Sequence, residues 1–355
     1  MPSYTIKKIQ DIFGKEIPRS TLIKAESNGL IPSPQREQTG SLQRRSWTTD
    51  DIPAIGEKYG FLKKTDSSIV MTVFTPKGGV LKSSLTVNIG RMAALHNLKT
   101  LIIGLDFQAD VTSALGFNND IDDSESLEEA MEKLNSVFGL YDFDRSSRKL
   151  EDLIQPTDIP TLHFIPETPE LQSLDQTIKD KPRREFWLKE KVIEPLKKHY
   201  DLIILDCSPN WNQLVTNALG SCDILISPIE CKINNFRNFK AFKIFIEKYK
   251  QDVKLSFTHV FVPTRLSPTR KLSSEIRKWY LANVNNCTES AIREGIHGEE
   301  AMASYLSVPE YCPNNLAAQE MRQLLAEIWS YVESIEKQKK KTVAAKIPLN
   351  EMNLN

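Results

Sequence analysis

Six runs rich in Val, Ile, Leu and Phe recur along this chain, each followed by a stretch long enough for a helix: Ile69 to Thr75, Thr100 to Asp106, Leu162 to Pro166, Asp201 to Asp206, Asp223 to Pro228 and Leu255 to Pro263. None alternates strictly between apolar and polar. A strand that is apolar on both faces must be covered on both, which is the condition of parallel strands joined by crossover helices. The pattern therefore predicts an α/β domain with a doubly wound, mostly parallel sheet. At roughly 100 to 200 residues per domain, 355 residues leave room for that domain and a smaller one. A chain that is 40% hydrophobic and 26% charged, with 14 Gly and 19 Pro, is neither disordered, collagen-like nor coiled-coil as a whole. No apolar run approaches the roughly 18 residues of a membrane span, and MPSYTIKKIQDIFG lacks a signal peptide's apolar stretch, so the expected location is the cytosol. Cys207, Cys222, Cys231, Cys287 and Cys312 are widely spaced without any CxxC, which indicates free thiols and neither a disulfide frame nor a zinc site.

The first 65 residues read differently. Lys and Arg outnumber Asp and Glu eight to four over residues 1–45, although the whole chain balances 46 against 46. Ile6, Ile9, Ile12 and Phe13 mark a short helix, and a second runs from Ser20, a potential cap, to Asn28. Gly29 can close it in a left-handed conformation. Pro32, Pro34 and Gly40 punctuate a polar loop before Trp47, and a further helix opens at Thr48-Thr49-Asp50. Two short helices, a proline-rich turn and a basic loop suggest a helix-turn-helix with a wing. The polar segment Lys63 to Ser68 marks the boundary, giving residues 1–65, 66–335 and a flexible basic tail 336–355. The acidic stretch Asp120 to Glu132 is expected on the surface.

The chemistry concentrates after the first apolar run, in Pro76-Lys77-Gly78-Gly79-Val80-Leu81-Lys82-Ser83-Ser84, which leads into an amphipathic helix from Leu85 to His96. A strand, a glycine turn and a helix N-terminus make an anion site, because backbone N–H groups and the helix dipole converge there. Lys82 can reach β- and γ-phosphates as a point charge, and the Ser83 hydroxyl can ligate magnesium.

This segment resembles the deviant phosphate loop KGGxxK[ST] of the ParA and MinD class of ATPases. Leu81 stands where the commonest form has Gly. The resemblance implies ATP or ADP and Mg2+ as cofactors, with nucleotide contacts from Lys77 through Ser84. It further implies an ATP-sandwich homodimer in which Lys77 reaches the partner's nucleotide. TLIIGLDFQADVT (100–112) looks like the second strand and first switch, where Asp106 would orient the attacking water with Gln108 beside it. YDLIILDCSP (200–209) looks like the Walker B strand, with Asp206 holding magnesium; Ser83, Asp106 and Asp206 form the implied metal set. Pro263 and Thr264, after the late strand, are implied neighbours of the adenine. The likeness extends through Ala291-Ile292-Arg293-Glu294 to the terminal helix, over about residues 69–333.

The N-terminal segment resembles the MerR-type winged helix, in the order Thr21-Leu22, Glu26, Gly29-Leu30-Ile31-Pro32, Arg36, Gly40, Arg45, Trp47-Thr48, Asp51-Ile52. That places Ser20, Thr21 and Lys24 on a DNA-recognition helix and Arg36, Arg44 and Arg45 on a wing. Together the two resemblances imply a plasmid or chromosome partition ATPase, nucleoid-associated, that also represses its own operon and works with a ParB-like centromere-binding protein. A second, non-specific DNA surface would use Arg265, Arg270 and Lys271. Two other readings stay open at this level: a MinD-like membrane-cycling ATPase, against which the tail lacks a sustained apolar face, and a nucleotide-sensing transcription regulator with little turnover.

Overall fold

The computed structural model describes residues 3–14, 17–39, 42–117, 126 and 137–344. Its N-terminal part opens with strand β1 (Tyr4–Thr5) and helix α1 (Ile6–Phe13), capped by the Thr5 hydroxyl accepting from the Lys8 N–H at 3.3 Å. Helix α2 (Arg19–Ser27) starts behind Pro18, which offers no side-chain cap. Ser20 lies inside the first turn and faces solvent, so the expected cap is corrected. Gly29 does take the left-handed conformation, at φ 65°.

Residues 35–47 are not the polar loop their composition suggested. They form a hairpin of β2 (Gln35–Thr39) and β3 (Leu42–Trp47), with β1 paired to the other edge of β3. The strands carry polar side chains, so no apolar run announces them. Tyr4 and Trp47, paired across β1 and β3, are both buried and hold the register, and the Trp47 indole donates to the Pro32 carbonyl at 2.8 Å. A 3-10 turn at Thr49–Asp51 then leads into α3 (Ile52–Tyr59), opened by a capping box between Thr48 and Asp51. Gly40 and the acidic residues between Asp120 and Glu132 lie outside the described residues.

The second part is an α/β layer structure. Strands β4 (Ile69–Val73), β5 (Thr100–Leu105), β6 (Gln155–Pro156), β7 (Leu162–Ile165), β8 (Leu202–Cys207), β9 (Ile224–Glu230) and β10 (Thr258–Thr264) form one sheet in the order β10-β9-β4-β8-β5-β7-β6. Only β6 runs antiparallel to its neighbour. The six apolar runs are the six parallel strands, the last beginning at Thr258 instead of Leu255.

Helix α4 (Lys82–Leu95), which follows β4, is buried on nearly all faces and so is not the amphipathic helix expected. One face lies on the sheet; the other is covered by the N-terminal part and by the long helix Leu316–Ala344. Ile9, Ile12, Phe13, Leu22, Ile52 and Ile55 belong to the same apolar core as Met92, Leu95, Leu324 and Ile328. Contact is close: a Cβ on Gly56 would come within 1.9 Å of the Leu95 carbonyl oxygen. A unit of about 65 residues buries little surface by itself, so sharing a core is what makes the N-terminal part stable. The boundary expected at 63–68 is thus a point in a continuous core, crossed by the Trp329 indole donating to the Lys63 carbonyl at 2.8 Å. Of the tail expected from 336, residues 336–344 continue the last helix, where Lys339 pairs with Asp223 at 2.6 Å, and 345–355 lie outside the described residues. Among the described residues, no helix is long and apolar enough to cross a membrane.

Candidate functional site: a phosphate loop at the carboxyl edge of the sheet

Three of the sequence-predicted segments converge because their strands are neighbours. β8 lies between β4 and β5, with Val73 opposite Asp206 and Asp206 opposite Gly104. The loop after β4, Asp206 in β8 and Asp106 just beyond β5 therefore meet at the carboxyl edge of the sheet, where ligands of open α/β folds bind.

Residues 76–81 wrap the start of α4. Gly79 and Leu81 both adopt left-handed backbone, at φ 70° and 73°, and Val80 between them is buried. Glycine takes that conformation freely; a leucine does so at a cost of order 1–2 kcal/mol. Lys82 is the first residue of α4 and only 6% exposed, with its Nζ 3.3 Å from the Lys77 carbonyl oxygen. One turn of the helix then points two hydroxyls at a single carboxylate. Ser83 donates to Asp206 Oδ2 at 2.7 Å and Thr86 donates to Asp206 Oδ1 at 2.6 Å. Asp206 is fully buried, and that burial lifts its pKa to about 6 against the hydrogen bonds of Thr86 and Ser83 and the charge of Lys82.

Asp106 is buried beside this group, its Oδ1 accepting from the Gln108 N–H at 3.3 Å. Helix α5 (Asp110–Ala114) begins directly after, and its Asp110 carboxyl is raised by burial and by the Asp106 charge. Lys77 turns back to form an ion pair with Glu230 at the end of β9. Arg265 joins the same cluster: its Nε donates to the Gly79 carbonyl at 2.6 Å and lies 3.4 Å from Glu230.

Other predicted residues are placed elsewhere. Pro263 and Thr264 are buried within β10, behind the Ile292 N–H that donates to the Pro263 carbonyl. A cavity of about 410 Å³ next to the loop is instead lined by Leu81, Ser84, Ile292, Ile296, His297 and Met321. Pro263 and Thr264 thus end the strand beside this cavity without lining it. Arg265 is half-buried against the phosphate loop, whereas Arg270 and Lys271 are exposed. Ser20, Thr21 and Lys24 share the exposed face of α2; Arg36 and Arg45 both pair with Glu26, at 2.9 and 3.1 Å, and Arg44 is exposed.

Two functional candidates escaped the sequence reading. Thr86 stands three residues after Ser83, on the same helical face, a spacing that could have shown it. Glu230 becomes a partner of Lys77 only through the pairing of β9 with β4, which no local pattern carries.

The donor set fits a magnesium-bound nucleoside triphosphate: a buried lysine against a backbone carbonyl, a helix N-terminus, and a serine hydroxyl on a buried carboxylate, both of which are oxygen ligands suited to Mg2+. These features define a phosphate-loop ATPase fold. A family model described as an AAA domain matches residues 68–258, more than half of the chain, and the chain belongs to that family. Curated relatives include the chromosome partitioning protein ParA of Myxococcus xanthus (strain DK1622), 25% identical over 220 residues, covering 61% of this chain and 72% of the relative. The sporulation initiation inhibitor protein Soj of Bacillus subtilis (strain 168) is 29% identical over 163 residues, 46% of this chain and 58% of Soj. Among solved structures, a plasmid partition protein from Borrelia burgdorferi B31 bound to AMPPNP superposes with a TM-score of 0.60 at 20% identity, over 74% of this chain and 99% of that one. MinD from Pyrococcus horikoshii OT3, complexed with Mg-ADP, gives 0.56 at 20% identity, over 76% and 98%. The chain is an ATPase of that family, with ParA and Soj proteins among its relatives.

Proposed function

We propose that this protein is a DNA partition ATPase that binds ATP at residues 77–84, dimerises around it, and carries a winged helix-turn-helix in its first 65 residues. The observation that carries the reading is the Ser83–Asp206–Thr86 cluster beside the buried Lys82, because it joins a phosphate-facing charge to a magnesium-type ligand pair within one helical turn. Magnesium-bound ATP supplies the phosphoanhydride and a charge that offsets the developing negative charge on the phosphates. Lys82 holds the β/γ-phosphates, Ser83 and Asp206 orient the metal, and Asp106 with Gln108 fixes a water for attack. Lys77 has a second partner in prospect: the ion pair with Glu230 keeps it within its own protomer, and release from Glu230 lets it reach the nucleotide of a second copy.

The N-terminal unit supports specific DNA binding. The Ser20, Thr21 and Lys24 face of α2 is exposed, while Glu26 on the same helix ties down Arg36 and Arg45 of the hairpin, which fixes the wing against the recognition helix. Repression of its own operon, a ParB-like partner, and nucleoid association through Arg270 and Lys271 complete the reading. The test is ATP turnover together with mobility shifts on the duplex upstream of the gene and on a scrambled duplex, with ATP and with ADP at fixed salt. Specific binding that survives Lys24→Glu with Arg44→Glu would overturn the winged-helix assignment, and ATP-independent binding to scrambled DNA would overturn the partition cycle.

A further inference from the structure

Glu167 lies two residues beyond β7, and the reading above gives it no task. It is 3% exposed. Its Oε2 accepts from the Thr112 N–H at 2.9 Å and from the Thr112 hydroxyl, while the Glu167 N–H donates back to Thr112 Oγ1 at 3.0 Å. Thr112 is the third residue of α5, the helix entered directly from Asp106-Phe107-Gln108. The neighbouring strand makes room for this clamp: a Cβ on Gly104 would come within 2.1 Å of Glu167 Cδ. The other carboxyl oxygen, Oε1, is buried without a hydrogen-bond partner among the described residues.

A buried carboxyl group with half its hydrogen-bonding capacity unused is a stability cost, and a core built only for stability would fill this space with an apolar side chain. Burial raises the Glu167 carboxyl to about 8, opposed by the Thr112 hydroxyl and reinforced by the Asp206 charge, so the group is neutral at pH 7 and a glutamine amide has the same shape and charge. We infer that Glu167 is a positioning residue for turnover: by clamping Thr112 it fixes α5, and with it Asp106 and Gln108, against the phosphate loop. The inference rests on the reading of Asp106 to Thr112 as the first switch.

The experiment measures phosphate release and the affinity for a fluorescent ATP analogue in the full chain, alongside thermal melts. For Glu167→Ala, kcat should fall roughly tenfold or more while affinity changes less than about threefold, since only water positioning is disturbed. Glu167→Gln should keep at least about a third of the turnover, because its carbonyl oxygen still accepts from Thr112. Combining Glu167→Ala with Thr112→Val should be no slower than the slower single variant, as both break one contact. Adding Gly104→Asp to Glu167→Ala should restore roughly fivefold of the lost rate, by returning a carboxyl to the same space from the adjacent strand. If Glu167→Ala fails to fold, Gly104→Ala decides, because it displaces the carboxyl without removing it. Turnover within about twofold of wild type in the deciding variant, or parallel losses of affinity and rate, overturns the positioning role. Asp106→Ala is the separate control: normal turnover there removes the switch reading itself, whatever Glu167 does.

Discussion

The two ends of α4 do opposite things with charge. At its N-terminus, Lys82, Ser83, Asp106 and Asp206 are withdrawn from water, with Ser83 on Asp206, Lys82 on the Lys77 carbonyl and Asp106 on the Gln108 N–H. At its C-terminus, the helix supports a unit whose outward face leaves Ser20, Thr21, Lys24 and Arg44 in solvent. The first arrangement stabilises a changing charge by dipoles already in place, which needs low dielectric and fixed geometry. The second, under the proposed DNA-binding function, would attract a polyanion at long range, which needs exposure and weakens with salt. One 14-residue helix, about 21 Å long, therefore joins a desolvated site to a solvated one, and each can be broken without the other.

The largest separation comes from Lys82→Ala. Removing the buried cation should raise the Kd for an ATP analogue by roughly 100-fold, about 2.7 kcal/mol, while the melting temperature and operator binding stay near wild type. Fluorescence titration beside a mobility shift measures both ends at once. Equal loss at both would mean that the ends are not independent. Arg91, in the middle of the helix, is kept out of this comparison because it is fully buried between Glu310 and Asp158, at 2.8 and 2.7 Å, and its removal would cost about 3–5 kcal/mol of stability at both ends.

Acid should weaken the contribution of His259 to the sheet beneath the buried end. His259 in β10 lies 2.8 Å from Ser227 Oγ, which donates to the Phe74 carbonyl at 2.7 Å just before the phosphate loop; the imidazole therefore donates through Nε2. Its Nδ1 is buried without a partner among the described residues, and burial lowers its pKa to about 3, with the charges of Lys250 and Lys243 adding. The folded pKa is below the unfolded one, so the contribution is fully present above about pH 6.5 and is lost as pH falls towards 3, at about 1.4 kcal/mol per unit, or about 2 kcal/mol at pH 5. The raised carboxyls of Glu167 and Asp206 act in the opposite sense, adding stability as pH falls, so the His259 share is read by difference: between pH 7 and pH 5, His259→Gln should gain about 2 kcal/mol relative to wild type in parallel melts. An unchanged difference in the variant would assign the acid sensitivity elsewhere.

The same contrast explains what the sequence discloses. Apolar runs and a glycine loop are local patterns, so six strands and the Lys77–Ser84 loop were legible from neighbours in the chain. The hairpin at 35–47 was not, because its strands are polar and only Trp47 and Tyr4, from separate segments, pin it. Nor could composition show that α4 is covered on its outer face, since the cover comes from residues 4–55 and 321–335. Glu167 and Glu230 enter the site across separations of 55 and 153 residues, and the cavity wall at 292–297 through loop packing, which no local pattern carries.

At the exposed end the expected effect is smaller. Lys24→Glu with Arg44→Glu should lower affinity for the operator by roughly tenfold, reduce its salt dependence, and leave ATP turnover unchanged, because neither side chain touches the core. Removing residues 1–65 is the wrong way to ask this question, since it would uncover Met92, Leu95, Leu324 and Ile328. The insolubility expected of that truncation, checked by size-exclusion chromatography, would show that the solvated end is bolted on through an apolar interface.

The smallest effect lies in the phosphate loop itself. Leu81 sits at φ 73° and ψ 32°, and its side chain lines the cavity with Ile292, Ile296 and Met321. Leu81→Ala keeps the left-handed strain and loses the apolar contacts. Leu81→Gly loses the same contacts but relieves the strain, worth about 1 kcal/mol, against a somewhat smaller gain in unfolded-chain entropy. At most helical and loop positions alanine is the more stable of the two; here glycine should melt higher than alanine, by roughly half a degree for a chain of this size. Differential scanning calorimetry of the pair measures the inversion directly, since the lost contacts cancel between them. If alanine melts higher, the loop adopts a conformation at residue 81 that any residue can take, and Leu81 is an ordinary cavity residue instead of a strained substitute for glycine.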